Sequence, residues 1–379
     1  MGTLLIWWMY ELTHDAFNIG MIGLAEALPA VGFALYAGYV VDKSDKRKLL
    51  LKCVFLFGVC AAILLTTSSG WFQASFHTRA TIIFIYVLIF FTGVIRSFSG
   101  PTFSSIIAYI VPREMLINAS QLSSTSWLIA SITGHAVAGF LIAWLDVTGT
   151  FIVVVSLIFI GFAFLFQLKS KPPGITGEKK TLEAVTEGLK FVFKTKDVLA
   201  AISLDLFAVL FGGAVALVPV YAKDILHVGP IGFGWLNAAT DIGAIIMVTA
   251  LTLFPMKKKQ GIKLLFAVAG FGLCIIIFGL SQWYWISFAA LLLSGVLDGL
   301  SVVVRGNIMQ LKTPDELRGR VMSVNSMFIN SSNEIGQFES GVAAKLMGNV
   351  PSVVFGGCMT ILIVGITWFK APSLKKLEY

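Results

Sequence analysis

The sequence predicts an all-α membrane protein made of two six-helix bundles related by a pseudo-two-fold axis. Composition, the recurrence of apolar runs of helical length, and a repeat at about half the chain carry that prediction. Of 379 residues, 57% are hydrophobic and 13% charged, with mean hydropathy +0.88, outside the balance of a water-soluble globular chain. Apolar stretches near or above about 18 residues recur along the chain, the length that a hydrocarbon core roughly 30 Å thick demands of a helix. Barrel strands would alternate in hydrophobicity instead.

Taken in order, a short apolar segment at 3–9 precedes spans at 20–41, 49–67, 81–110, 120–145, 150–168, 198–221, 231–254, 262–280, 283–311, 320–346 and 350–369. The repeat appears in YELTHDAFNIGMIG (Tyr10 to Gly23) and YAKDILHVGPIGFG (Tyr221 to Gly234), which share a Tyr-to-Gly interval of 13. Farther on, GVIRSFSG and GVLDGLSV stand at the same interval of 19 before a proline, Gly93 to Pro112 and Gly295 to Pro314. Duplication of this kind marks transporters built from related bundles. Tyr221 follows a long apolar run whereas only nine residues precede Tyr10. Nine residues rise about 14 Å as a helix, so helix 1 is expected to be truncated at the N-terminus. The expected division is an N-terminal bundle at 1–168, a linker at 169–197 and a C-terminal bundle at 198–379.

Within the linker, Pro172, Pro173 and Gly174 end helix 6. Leu182, Val185, Leu189, Val192 and Phe193 then share one helical face, beside Lys190, Lys194 and Lys196. That pattern suits a short interfacial helix.

Of the 28 lysines and arginines, 23 fall in alternate loops, densest at 43–52 and 169–196. The positive-inside rule then places the linker and the C-terminus in the cytoplasm. Trp71, Trp144, Trp235, Trp283 and Trp285 mark the opposite membrane face. The net charge of +8 is therefore a matter of orientation, and no nucleic-acid partner is expected. Cys53, Cys60, Cys274 and Cys358 lie in apolar spans without metal spacing and read as small core residues. No cleavable signal is expected, because Met1 opens directly into an apolar stretch.

From Thr313 to Gly341 a charged turn leads into a helix whose Ser323, Ser326, Asn330, Glu334, Gln337 and Gly341 recur at helical spacing. That polar stripe implies a wet or polar interior. The ionisable residues inside spans are Glu26, Arg96, His135, Asp205, Asp241, Asp298, Arg305, Glu334 and Glu339. A charge at the bilayer centre costs about 2.5 to 3.5 kcal/mol, so these nine must face one another, a cavity or the surface.

Asp298 and Arg305 lie seven apart on one face, about 10 Å along the axis. They are expected to be too distant to pair directly and to find partners in Arg96 and the helix 11 carboxylates, either as structural ion pairs or as substrate contacts. Glu334 and Glu339 are five apart, about 140° around the helix, so different roles are expected. Glu334 is the candidate for cavity lining or proton binding, with Asn330 and Gln337 beside it, and Glu339 for either that or a packing hydrogen bond. Glu26, matched in the second half by Asn237, Asp241 and Asp205 are candidates for coupling, although Asp205 is equally placed to lie near the surface. His135 suits a structural role or a proton relay.

No nucleotide loop, H-E-x-x-H pattern or soluble domain occurs, which excludes ATP-driven transport and catalysis. No metal or cofactor is expected.

The loop G-Y-V-V-D-K-S-D-K-R-K at 38–48 resembles the G-x-x-x-D-R/K-x-G-R/K-R/K signature of the major facilitator superfamily, with Asp45 in place of the usual glycine. The resemblance covers the whole chain. It implies the major facilitator fold and a cytoplasmic gate in which Gly38, Asp42 and Arg47 act with Arg113, Arg318 and Arg320 as possible partners. ELRGRVMSVNSMFINSSNEIGQFESG at 316–341 and GLAEALPA at 23–30 further resemble bacterial exporters related to the enterobactin exporter and drug efflux branch. Gly134-His135-Ala-Val-Ala-Gly139 departs from the Gly-Pro-x-x-Gly-Gly common among antiporter relatives. What the resemblance implies is a monomeric secondary transporter of the bacterial inner membrane, a proton-coupled exporter of a siderophore or drug-like amphiphile working by alternating access. The alternative is a lipid flippase or non-transporting receptor on the same fold.

Overall fold

The computed structural model describes residues 1–168, 181–254, 256, 258–375, 377 and 378; the side chains of 34, 35, 42, 108, 109, 113, 117, 181–185, 214, 215, 315 and 316 lie outside that description. Among the described residues the ordered structure is helical and no strand occurs. The long helices are α1 (Gly2–Thr13), α2 (Ala16–Lys43), α3 (Lys46–Ser68), α4 (Thr78–Ile110), α5 (Leu116–Phe166), α6 (Thr181–Lys194), α7 (Lys196–Gly212), α8 (Gly229–Leu253), α9 (Gln260–Leu280), α10 (Tyr284–Lys312), α11 (Asp315–Met347) and α12 (Asn349–Lys370). Eight of the described helices are long and apolar enough to cross a membrane. The end of the molecule where α6 lies is called the linker end, and the opposite end, where α1 ends and α2 begins, the far end.

Two elements differ from their sequence expectation, and a third follows it. Spans 120–145 and 150–168 are two helical arms of α5, as expected, meeting at Asp146, which takes φ 57°, ψ −175°. A single residue in that conformation reverses the chain locally, and Thr150 re-caps the carbonyl of Asp146 at 2.6 Å. Span 198–221 is broken: α7 stops at Gly212, a 3₁₀ turn follows at Ala214–Leu217, and a π-helical turn at Tyr221–Ile225, with Pro219 between them removing a backbone donor. The charged turn before the polar helix is largely helical itself, since α11 begins at Asp315.

The linker helix α6 packs against α11 and α7 rather than only along a surface. Val192 is fully buried with Val198 and Val321, Gly188 lies against the backbone of Arg320, and Glu187 pairs with Arg320. Phe193, expected on the same face, is exposed. Residues 172–174, expected to end helix 6, lie outside the described residues. Of the cysteines, three are buried and Cys358 is exposed, so it is not a core residue.

The first half of the chain meets the second along α2 against α11 and α5 against α8. These contacts are tightest at the far end, where small residues let backbones touch. A Cβ on Gly20 would sit 2.9 Å from the Cα of Gly341, and one on Gly139 would sit 2.6 Å from the carbonyl of Pro230 and 3.0 Å from the Cα of Gly234. A shift of 202 residues, which carries Gly93 to Gly295, also carries Gly139 to Gly341 and His135 to Gln337. The two crossings are therefore copies of one design. Toward the linker end the same helix faces are exposed: Ser323, Ser326 and Asn330 on α11, and Gln121, Ser124 and Thr125 on α5. The halves close on each other at the far end and part toward the linker.

The helix α1 seals that closed end from within. Leu4, Leu5, Trp7, Trp8, Met9 and Tyr10 are all buried in one core with residues of both halves. Trp7 lies 5.0 Å from the ring of Phe233, Tyr10 donates to Asp224, and Glu11 lies 3.9 Å from Lys223.

Candidate functional site

Three polar clusters sit where the far-end closure gives way to the opening. In the first, Arg96 of α4 donates to Glu26 of α2 at 2.8 Å and lies 3.8 Å from Glu334 of α11. Gly93, packed against Glu26, places Arg96 one turn on. The pair therefore reaches from one half to the other. Glu334 keeps its second oxygen buried and without a hydrogen-bond partner among the described residues, and the same holds for the amide nitrogen of Gln337 one turn later. Both lie against Gly23, whose missing side chain leaves them room: a Cβ there would be 2.5 Å from the Glu334 carbonyl and 2.8 Å from Gln337 Cβ.

In the second cluster, Thr3 Oγ1 contacts His135 Nδ1 at 2.7 Å, and His135 Nε2 lies 3.7 Å from Asp241 of α8. Ser131, one turn before His135, donates to Asp241 at 2.5 Å. His135 thus joins α1, α5 and α8.

The third cluster corrects an expectation. Arg305 and Asp298 do meet, Nη2 to Oδ1 at 3.9 Å, because a long side chain on a helix points back toward the N-terminus and covers the axial gap. Their expected partner Arg96 is engaged with Glu26 and Glu334 instead. Arg305 also pairs with Asp205 of α7 and its Nε donates to Ser301 Oγ at 3.1 Å. Only 4% of the Arg305 side chain and 7% of the Asp205 side chain are exposed, so Asp205 is an interior residue and not a surface one.

Close crossing of α8 and α10 at Gly243 and Gly295 brings Asp241 and Asp298 to one cavity of about 350 Å³. Gln337 and Asn333 reach it from α11 and Ile6 from α1. Asn330 is exposed on the same face, toward the linker end. Glu339 makes no hydrogen bond or ion pair among the described residues and stands off the stripe that faces α2, in keeping with its 140° separation from Glu334. Sequence reasoning missed Thr3, Ser131 and Asn333. The 202-residue shift pairs Ser131 with Asn333 and would have flagged both.

Three of the gate residues implied by resemblance have described side-chain contacts. Arg47 donates to the Phe166 carbonyl at 2.6 Å and stands 5.4 Å from its ring, Arg318 reaches the Gln310 carbonyl at 3.5 Å, and Arg320 is held by Glu187. The side chains of Asp42 and Arg113 lie outside the described residues, and Gly38 is within α2. No group of three or more metal-ligating side chains occurs among the described residues.

Known proteins carry the same plan. The enterobactin exporter EntS of Shigella boydii serotype 18 is 22% identical over 361 residues, 94% of this chain and 83% of that protein, and EntS of Escherichia coli O1:K1 / APEC matches equally. Among solved structures, a mutant of the nucleoside transporter NupG superposes with TM-score 0.77 at 11% identity, over 97% of this chain and 94% of that one. The inward-open xylose transporter XylE from E. coli gives 0.72 at 13%, over 99% and 95%. These likenesses establish the major facilitator fold. With the family model described as transmembrane secretion effector matching residues 4–378, this helical, multi-pass chain belongs to that family of major facilitator transporters.

Proposed function

We propose that the protein is a proton-coupled exporter of a siderophore or drug-like amphiphile, held here with its linker end open. The observation that carries this reading is Glu334: a carboxyl on the face between the halves, reaching Arg96 across the boundary, with one buried oxygen free to hold a proton. A titratable group placed at the boundary of two moving bodies ties its protonation to their relative position. Glu26 competes for the same arginine, so loss of charge on Glu334 leaves Arg96 to Glu26 and loosens the link between halves. Export is supported by the names of the similar EntS proteins.

In this reading the two bundles at 1–168 and 198–379 rock about the far-end closure, with the linker and C-terminus in the cytoplasm of a bacterial inner membrane and the protein working as a monomer. The distribution of basic loops and the exposed Trp71, Trp144, Trp283 and Trp285 at the far end support that orientation. The cavity beside Asp298 and Asp241 takes the substrate. Glu26, Arg96, His135 and Asp205 serve the proton path or its structural support.

Purified protein in liposomes with an imposed pH gradient tests the coupling role. Glu334→Gln is expected to reduce gradient-driven transport more than tenfold while leaving substrate exchange at equal pH within about twofold. Full gradient-driven transport by the mutant would remove Glu334 from the coupling step.

A further inference from the structure

The geometry points to a charge class for the cargo: the cavity takes an amphiphile bearing a single positive charge, with Asp298 as the residue that selects it. This inference rests on the proposal that the cavity is the substrate site.

The cavity is small and two-sided. Ile6, Val209, Val268, Phe271 and Leu297 give it an apolar wall, and three carboxylates, Asp205, Asp241 and Asp298, give it an acidic one. Those carboxylates are not equivalent. Asp205 is spent on Arg305 in a buried pair. Asp241 accepts from Ser131 and faces His135. Among the described residues Asp298 has a single ion-pair contact, at 3.9 Å, with an arginine that already serves Asp205 and Ser301, and 43% of its side chain is exposed.

No lysine or arginine is among the described residues lining the cavity. Arg305, which pairs with Asp205 and Asp298, is itself buried and not among the residues lining the cavity. A ligand entering thus meets a carboxylate only partly neutralised by an arginine that it shares with Asp205. In a site of low dielectric such an arrangement favours a cation strongly and repels an anion.

Gln337 also lines the space, and its amide nitrogen is buried without a partner among the described residues. The 202-residue shift pairs Asp298 with Arg96. The acid is therefore a feature of the second half alone, where the first half carries the opposite charge.

Tetraphenylphosphonium and tetraphenylborate, matched in shape and opposite in charge, provide the test by equilibrium binding to the purified full-length chain in detergent. Tetraphenylphosphonium is expected to bind at least tenfold more tightly than the borate. Asp298→Asn should remove about tenfold of that affinity with an unchanged melting temperature, and Asp298→Glu should restore most of it. Equal or tighter binding of the borate, no binding of either ion, or an Asp298→Asn protein that is stable and binds as wild type would each overturn the proposal.

The exporter reading fails separately. Gradient-driven transport without charge preference sinks the charge class alone. Absence of gradient-driven transport, with Asp298-dependent binding intact, sinks the exporter reading and leaves the binding site standing.

Discussion

Arg305→Ala is expected to lower stability by about 3 to 5 kcal/mol, the cost of leaving a buried charge without its partner. The guanidinium holds together α7 and α10 through Asp205, Asp298 and Ser301 at a depth where almost none of it meets solvent. Removing it leaves the Asp205 carboxylate stranded in the interior, and the melting temperature in detergent and the membrane yield should both fall sharply. The double change Asp205→Asn with Arg305→Gln removes both charges at once and should recover much of the lost stability, because an apolar or neutral pair carries no such desolvation penalty. A single Arg305→Ala protein that melts with the wild type would show that the pair is not structural.

Gly139→Leu is expected to abolish the far-end closure. A Cβ at this position already sits 2.6 Å from the carbonyl of Pro230, and the neighbours are backbone that cannot swing aside. The added side chain should wedge α5 from α8. Transport should fall more than tenfold, and a cysteine placed at Ile6, which lines the cavity on α1, should become reactive to a membrane-impermeant maleimide from the far side. Labelling is read in a Cys358→Ser background, since the other cysteines are buried. Gly134→Ala is the control, because that position opens on empty space. Unchanged labelling and transport in Gly139→Leu would mean that the crossing is not a gate.

Much of the fold could be read from the chain because a bilayer leaves few options: a long apolar run must be a helix, and a charge inside one must have company. The stripe on α11 was legible for the same reason, and its far-end half faces α2 as its period requires. What escaped were features that depend on reach and contact. Arg305 and Asp298 are seven residues apart by sequence, yet the arginine is long enough to bridge them. The closure rests on glycines, which carry no chemical signature and gain meaning only when a second helix lies against them. The break after Gly212 arises where tertiary packing overrides a continuous apolar pattern. Pro219 announced that break, and the polar gap between the spans ending at 145 and starting at 150 announced the kink at Asp146.

Coupling of cargo to protons is tested most directly by trapping a pH-sensitive dye inside liposomes containing the wild-type protein and imposing a gradient of a transported amphiphile with no initial pH difference. Protons are expected to move opposite in direction to the cargo, and this movement to be abolished in Glu334→Gln. Cargo movement with no proton flux, or with protons moving in the same direction, would contradict it.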